Sequence, residues 1–149
     1  MGFISGTGAN SLEKIHNLPS FFSDGILELP MQSIPWKEAV CDLNNLTDDP
    51  NKIINYVIFP YPDGGWAAQA VPPSLDKEFE KRFPLLKEAT SELKESNPKL
   101  WVHPGEFFAR FAETKEDAIK LCKSSKEIQK KYLDLVDSWK WFYDNEIEF

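Results

Sequence analysis

Apolar residues along this chain alternate between strand-like and helix-like spacing. Ile26, Leu27 and Leu29 form a short run between Asp24-Gly25 and Pro30, which predicts a brief strand. Ser33 is placed to cap a short helix with Pro35 in its first turn, where a missing amide proton costs nothing, and Trp36, Ala39, Val40 and Leu43 fall on one face of it. The clearest signal is a hairpin: a β-branched and aromatic run from Ile53 to Phe59, then Asp63-Gly64-Gly65, then Trp66 to Val71. Asp63 and the two glycines suit a turn that needs positive φ, and Pro60 and Pro72, which donate no ladder hydrogen bond, mark the strand ends.

Between Asp76 and Ser96 the spacing of Leu85, Leu86, Ala89 and Leu93 predicts a helix stopped by Asn97-Pro98. Leu100 to Val102 reads as a further strand, and Phe107, Phe108 and Phe111 as another after it. Thr114 with Asp117 marks a helix start, since a cap hydroxyl and an early carboxylate suit exposed amide protons, and Ala118, Ile119, Leu121 and Cys122 form its buried side. Ser124 with Glu127 repeats that signature and predicts a second helix, whose stripe of Ile128, Tyr132, Leu135, Val136 and Trp139 ordinarily means core packing. Residues 1–23, rich in Gly, Ser and Asn, read as a loosely ordered lead-in whose Ile15, Leu18, Phe21 and Phe22 are available to dock. Residues 24–149 read as a single α+β domain: a mostly antiparallel sheet, centred on the hairpin and covered by the helices after Pro84 and Thr114.

Composition supports a packed core, because 42% hydrophobic residues with 11 Phe, 5 Trp and 4 Tyr supply enough large side chains to close one. A formal charge of -7 disfavours indiscriminate binding to phosphate backbones or anionic lipid. Cys41 and Cys122 each sit on an apolar-rich stretch and read as small buried hydrophobes. With no basic region leading into an apolar run near Met1 and no stretch approaching the ~20 apolar residues of a membrane span, a reducing cytoplasmic setting is expected.

Few residues suit catalysis. The two histidines, His16 and His103, have no second imidazole or cysteine pair at ligand spacing, so no metal site and no cofactor are expected. The acidic residues Glu78, Glu80, Glu88, Glu92 and Glu95 alternate with lysines as on a solvated helix face. A nucleophile elbow, a phosphate loop and a dinucleotide fingerprint are all lacking, and Cys122, the one cysteine to weigh against His103, falls on a buried face. The stretch Trp101 to Arg110 is more suggestive, since it gathers an imidazole, a guanidinium and aromatics. Arg110 can fork onto a phosphate and Phe108 can stack a base on the same strand face; the competing reading pairs Arg110 with a local carboxylate.

Several motifs in order resemble the C-terminal region of the MYG-type exonuclease family. They are Pro35-Trp36-Lys37-Glu38, Tyr56 to Pro60 leading into Gly65 to Pro72, Phe79 to Leu85, Val102-His103 before Phe107, and Thr114 to Ala118. The resemblance spans roughly residues 25–123. It implies a relative of DHH-type phosphoesterases, in which an upstream domain carries the metal-binding Asp and His motifs and the C-terminal region helps hold nucleic acid. None of those motifs occurs in this chain, so activity does not transfer. By position the resemblance implies substrate-side or interface roles for Trp66, Gln69, His103 and Arg110, although core packing is the ordinary role of residues like Trp36 and Trp66. Leu86 and Ala89 stand where many members have Pro and then Trp, and Ala109-Arg110 replaces a glycine pair whose amides would serve an anion well.

The expected function is non-catalytic recognition of RNA or a nucleotide, with a separate DHH-type catalytic chain as partner. The alternative is a protein-interaction module, homo-oligomeric or with another partner, using Trp139, Trp141 and Phe142 of the aromatic C-terminal segment.

Overall fold

The computed structural model describes residues 22–77 and 83–144. Most of the expected lead-in, the Phe79 to Arg82 part of one family-like motif, Glu78, Glu80, His16 and Phe149 lie outside the described residues. The chain forms a six-stranded sheet in the order β1-β2-β3-β4-β6-β5. The strands are β1 (Phe22–Ser23), β2 (Ile26–Glu28), β3 (Tyr56–Pro60), β4 (Trp66–Ala70), β5 (Trp101–Val102) and β6 (Phe108–Ala112), with helices α1 (Lys37–Leu46) and α2 (Lys115–Asp144). The fold is α+β, and every pairing is antiparallel except β2 with β3, which run parallel. That parallel pair requires a crossover, and α1 supplies it.

β3 is central and buried on both sides. Tyr56 and Ile58 join Ala68, Ala70, Ala109 and Ala112 in a core closed by Ala118, Leu121 and Cys122 of α2 and by Leu85, Leu86, Ala89 and Leu93. Val57 and Phe59 point the other way, into a core with Leu27, Leu29, Trp36, Ala39 and Val40. Alanines at 67, 68 and 70 let both layers approach the middle strand closely. Each large apolar side chain so buried contributes about 1.5–3 kcal/mol.

The hairpin forms as the sequence predicts, but its turn differs in one respect. Gly64 and Gly65 take φ of 97° and 80°, whereas Asp63 is not among the positive-φ residues. At the β1–β2 turn Gly25 has φ 78°, and a Cβ there would meet the Asn55 amide at 2.7 Å, so both conformation and space require glycine.

Three helical expectations need correction. Ser33 does not cap α1: the helix begins at Lys37 with Trp36 in the cap position and no side-chain cap bond, because the residue before Pro35 is kept out of helical conformation. The stretch after Asp76 is not an α-helix among the described residues; it forms 3-10 turns at Leu75–Lys77 and Lys87–Thr90. Its backbone is held instead by tertiary partners, Leu85 N–H on Glu106 O at 2.8 Å and Leu86 N–H on Ser125 Oγ at 2.9 Å. The four predicted apolar residues are nonetheless buried.

The third correction concerns the C-terminal helices, which are one helix of 30 residues. Thr114 Oγ accepts from Asp117 N–H at 3.1 Å and donates to the Asp117 carboxylate at 2.9 Å, as a start signal should. Ser124 starts nothing, because extending a formed helix costs less than nucleating another. The stripe expected to be core emerges from the body: Tyr132, Leu135, Val136 and Trp139 are 63%, 46%, 54% and 57% exposed.

Candidate functional site

The ladder registers decide which candidate side chains can meet. Gln69 of β4 sits opposite Phe108 of β6, and Trp101 of β5 sits opposite Arg110 of β6, so all four project from one face of the sheet. His103 continues the β5 line, its N–H donating to Phe108 O at 2.8 Å, and its ring lies 5.7 Å from the Trp101 ring. Val57, Phe59 and Ala67 on this same face are packed with α1 residues. Towards β6 and β5 the cover thins among the described residues: Gln69, His103, Phe108 and Arg110 are partly buried and Trp101 is 45% exposed. Phe108 packs its inner side on the α1 core, so it is a supported ring with only part of its surface open.

Trp66 is not part of this group. It pairs with Pro60 and Ala112 and packs on the opposite core, under α2. Its large indole is used in packing, which is the ordinary role the sequence allowed for it.

Arg110 lies at an irregularity. Trp66 pairs with Ala112 and Ala68 with Ala109, so two steps on β4 face three on β6, and Phe111 takes φ 72° at the extra residue. The guanidinium is sandwiched between the rings of Tyr61 and Phe111, 3.8 and 4.6 Å from their centroids. Its Nη2 donates to both carboxylate oxygens of Asp63, at 3.0 and 2.9 Å. The Arg110 Nε–H is buried and has no hydrogen-bond partner among the described residues. Arg110 is therefore paired with a carboxylate, as the competing sequence reading had it, but with one 47 residues away in sequence and not a local one.

His103 Nδ1 accepts from Gly105 N–H at 2.8 Å, which leaves Nε2 as the N–H donor of the neutral ring. The Phe107 ring lies 4.4 Å from the imidazole, centroid to centroid. Along the outer edge of β5 runs an open cleft of about 390 Å³ whose lining includes Lys87, Lys94, Trp101, His103 and Pro104. Lys94 is already committed to Leu100 O at 2.7 Å.

Both cysteines are buried. Burial pushes the Cys122 thiol well above the ordinary thiol range, so it is no nucleophile for His103. Among the described residues no group of three or more His, Cys, Asp or Glu is arranged to hold a metal, and the donor set does not fit the metal centre that the family resemblance places upstream. Among the described residues, too, no helix is long and apolar enough to cross a membrane.

Sequence reasoning missed Tyr61 and Asp63, the partners of Arg110, because 47 residues separate the ion pair and a turn aspartate gives no hint of its reach. It counted Trp101 in the suggestive stretch but gave it no ligand role, although the i, i+2 spacing to His103 places both on one face of a strand. The interface candidates Trp139 and Trp141 are exposed, and the Phe142 side chain lies outside the described residues.

No curated protein and no solved structure matches the chain. The MYG1 exonuclease model, described as an uncharacterised protein family (UPF0160), matches residues 11–125, well over half of the sequence and including every strand of the sheet. The match stops inside α2, short of the exposed stripe. Through its sheet and the body packed around it, the chain belongs to the MYG1 exonuclease family.

Proposed function

We propose that this chain is a non-catalytic recognition unit that receives single-stranded RNA, or a nucleotide from it, on the open end of the sheet. One observation carries the reading: Gln69, Trp101, His103, Phe108 and Arg110 share one face at the β4–β6–β5 side, which no helix among the described residues covers fully. Aromatic faces on a sheet stack unpaired bases without regard to their identity, Gln69 and His103 Nε2 can hydrogen-bond base edges, and a guanidinium can hold a phosphate. The resemblance to the substrate-side region of a DHH-type hydrolase supports the same role, with catalysis supplied by a separate chain. The net charge of -7 and the Asp63 carboxylate both work against the ligand, so binding is weak, and with one cation on the phosphate it falls only modestly as salt rises. Anisotropy of labelled oligouridine tests this: Trp101→Ala should weaken binding at least about fivefold, since base stacking contributes about 1–3 kcal/mol. Equal binding by parent and Trp101→Ala would remove the stacking face from the account.

A second reading rests on a separate observation, the exposure of the apolar stripe on the distal half of α2. Contiguous apolar surface of this kind is suited to another protein surface.

A further inference from the structure

At the end of the sheet away from β5, α2 meets the β1–β2 turn and leaves an open groove of about 440 Å³. Asn55, Lys126 and Lys130 are among its polar lining, and Pro50, Ile53 and Phe83 form an apolar wall. Gly25 shapes the inner end. The point where a Cβ would stand on this glycine lies 2.7 Å from Asn55 Nδ2, 3.5 Å from Lys126 Nζ and 3.2 Å from Ile53 O. The absent side chain thus leaves a gap flanked by an amide donor and an ammonium group.

Asn55 is 2% exposed. Its backbone is fully used, the N–H on Gly25 O at 2.7 Å and the carbonyl on Val71 N–H at 2.9 Å, but its side-chain amide has no partner among the described residues. By contrast, the buried Asn44 and Asn97 each use both ends of the amide. A donor buried without a partner costs stability unless a ligand brings the acceptor.

The charges indicate which acceptor. Lys123, Lys126 and Lys130 follow at steps of three and four and share one flank of α2. Lys123 is paired with Asp24 at 3.2 Å. Lys126 and Lys130 are in no ion pair among the described residues; Lys126 lies over the Phe83 ring, 5.5 Å from its centroid. No carboxylate among the described residues lines the groove, although the chain as a whole carries a charge of -7. A phosphate monoester has about -1.5 to -2 charge at pH 7 and three terminal acceptor oxygens, which matches two ammonium groups and one amide. A carboxylate, with one charge and two oxygens, leaves one of the three donors unmatched. The volume lies in the range of about 300–1,000 Å³ found for small-molecule sites.

We infer that this groove binds the phosphate of a small phosphomonoester through Asn55 Nδ2, Lys126 and Lys130, with the organic part of the ester against Pro50, Ile53 and Phe83. The site is remote in the sheet order from the β4–β6–β5 face and does not rest on the RNA reading.

Calorimetric titration of the full chain at low ionic strength with phenyl phosphate, inorganic phosphate and benzoate tests this. Phenyl phosphate should bind most tightly, with inorganic phosphate at least about threefold weaker for want of apolar contact, and benzoate weakest. Lys126→Gln should weaken phenyl phosphate by about tenfold or more, and Asn55→Asp, which puts a carboxylate in place of the donor, should weaken it further. Lys130→Gln, at a more exposed position, should weaken it by about two- to fivefold. Lys126→Gln alters a half-buried side chain on the helix flank, so it decides the matter even where Asn55→Asp fails to fold. No detectable binding of phenyl phosphate to the parent at about 10 mM overturns the site. Binding unchanged in Lys126→Gln places the anion elsewhere and also overturns it. Benzoate as tight as phenyl phosphate overturns the phosphate assignment, and inorganic phosphate as tight as phenyl phosphate overturns the ester and leaves the free ion.

Discussion

Asp63 holds Arg110 through a single guanidinium nitrogen, with both carboxylate oxygens within 3.0 Å, and so sits where the proposed ligand phosphate would bind. The aspartate lies at the tip of the β3–β4 hairpin and is largely exposed, while the arginine is clamped between two aromatic rings. The cation is thus fixed and its anion can be displaced.

Removing the competing carboxylate should strengthen anion binding. Asp63→Asn is expected to raise affinity for oligouridine by about two- to tenfold at low salt, with little effect on the melt because exposed ion pairs contribute about 0–1 kcal/mol. Titration of both proteins at matched ionic strength checks this.

Arg110→Ala should have two effects. Affinity should fall by about 1.5–3 kcal/mol, the range for a lost charged hydrogen bond. Stability should also drop by about 0.5–2 kcal/mol, because the side chain fills the space between Tyr61 and Phe111. Lysine at that position should restore only part of each, since it keeps charge but loses the planar stack. Paired urea melts and binding curves separate the two losses.

Alkaline conditions should unfold the protein through two buried acids. Burial raises the Tyr56 hydroxyl far above its ordinary value, with the neighbouring Cys122 adding to it, and burial raises Cys122 likewise. The folded chain therefore holds both protons more tightly than the unfolded chain does. Their contribution is intact below the ordinary values of about 8.5 and 10 and is lost as pH rises past them, by up to about 1.4 kcal/mol per pH unit for each group. Urea midpoints from pH 7 to 11 should show that decline, and Tyr56→Phe should reduce its slope even though it loses the bond to Pro84 O.

Asn44 should be a sensitive position despite its polarity. Its amide donates to Ile54 O at 2.9 Å and its oxygen accepts from Ile54 N–H at 2.8 Å, fastening α1 to the entrance of β3. Asn44→Leu leaves both buried backbone groups unpaired and should cost roughly 2–4 kcal/mol in the urea midpoint.

Asn44 also illustrates what the sequence leaves unread. Period-two and period-3.6 patterns located the hairpin, the short strands and the start of α2, because those depend on neighbours a few residues apart. Asn44, Asn97 and Ser125 are buried polar residues with partners in other elements, Ile54, Glu113 and Leu86, although Asn97 also donates locally to Leu93 O, and nothing in the sequence marks them as core. The parallel β2–β3 pair was hidden for the same reason: α1 separates its strands. Leu85 to Leu93 misled because helical spacing of buried residues was satisfied by tight turns tethered to α2. At the site, strand alternation foresaw that Phe108 and Arg110 share a face, while the Asp63 carboxylate depended on how far a hairpin tip folds back.

The recognition claim is tested most directly by the salt dependence of oligouridine binding to the intact parent chain. Binding at low salt that weakens only modestly as salt rises, by roughly threefold over a fourfold rise in salt for one phosphate contact, with Asp63→Asn above the parent and Arg110→Ala below it at low salt, is the expected result. No detectable binding by either the parent or Asp63→Asn at low salt would contradict a nucleic-acid role for the open sheet face.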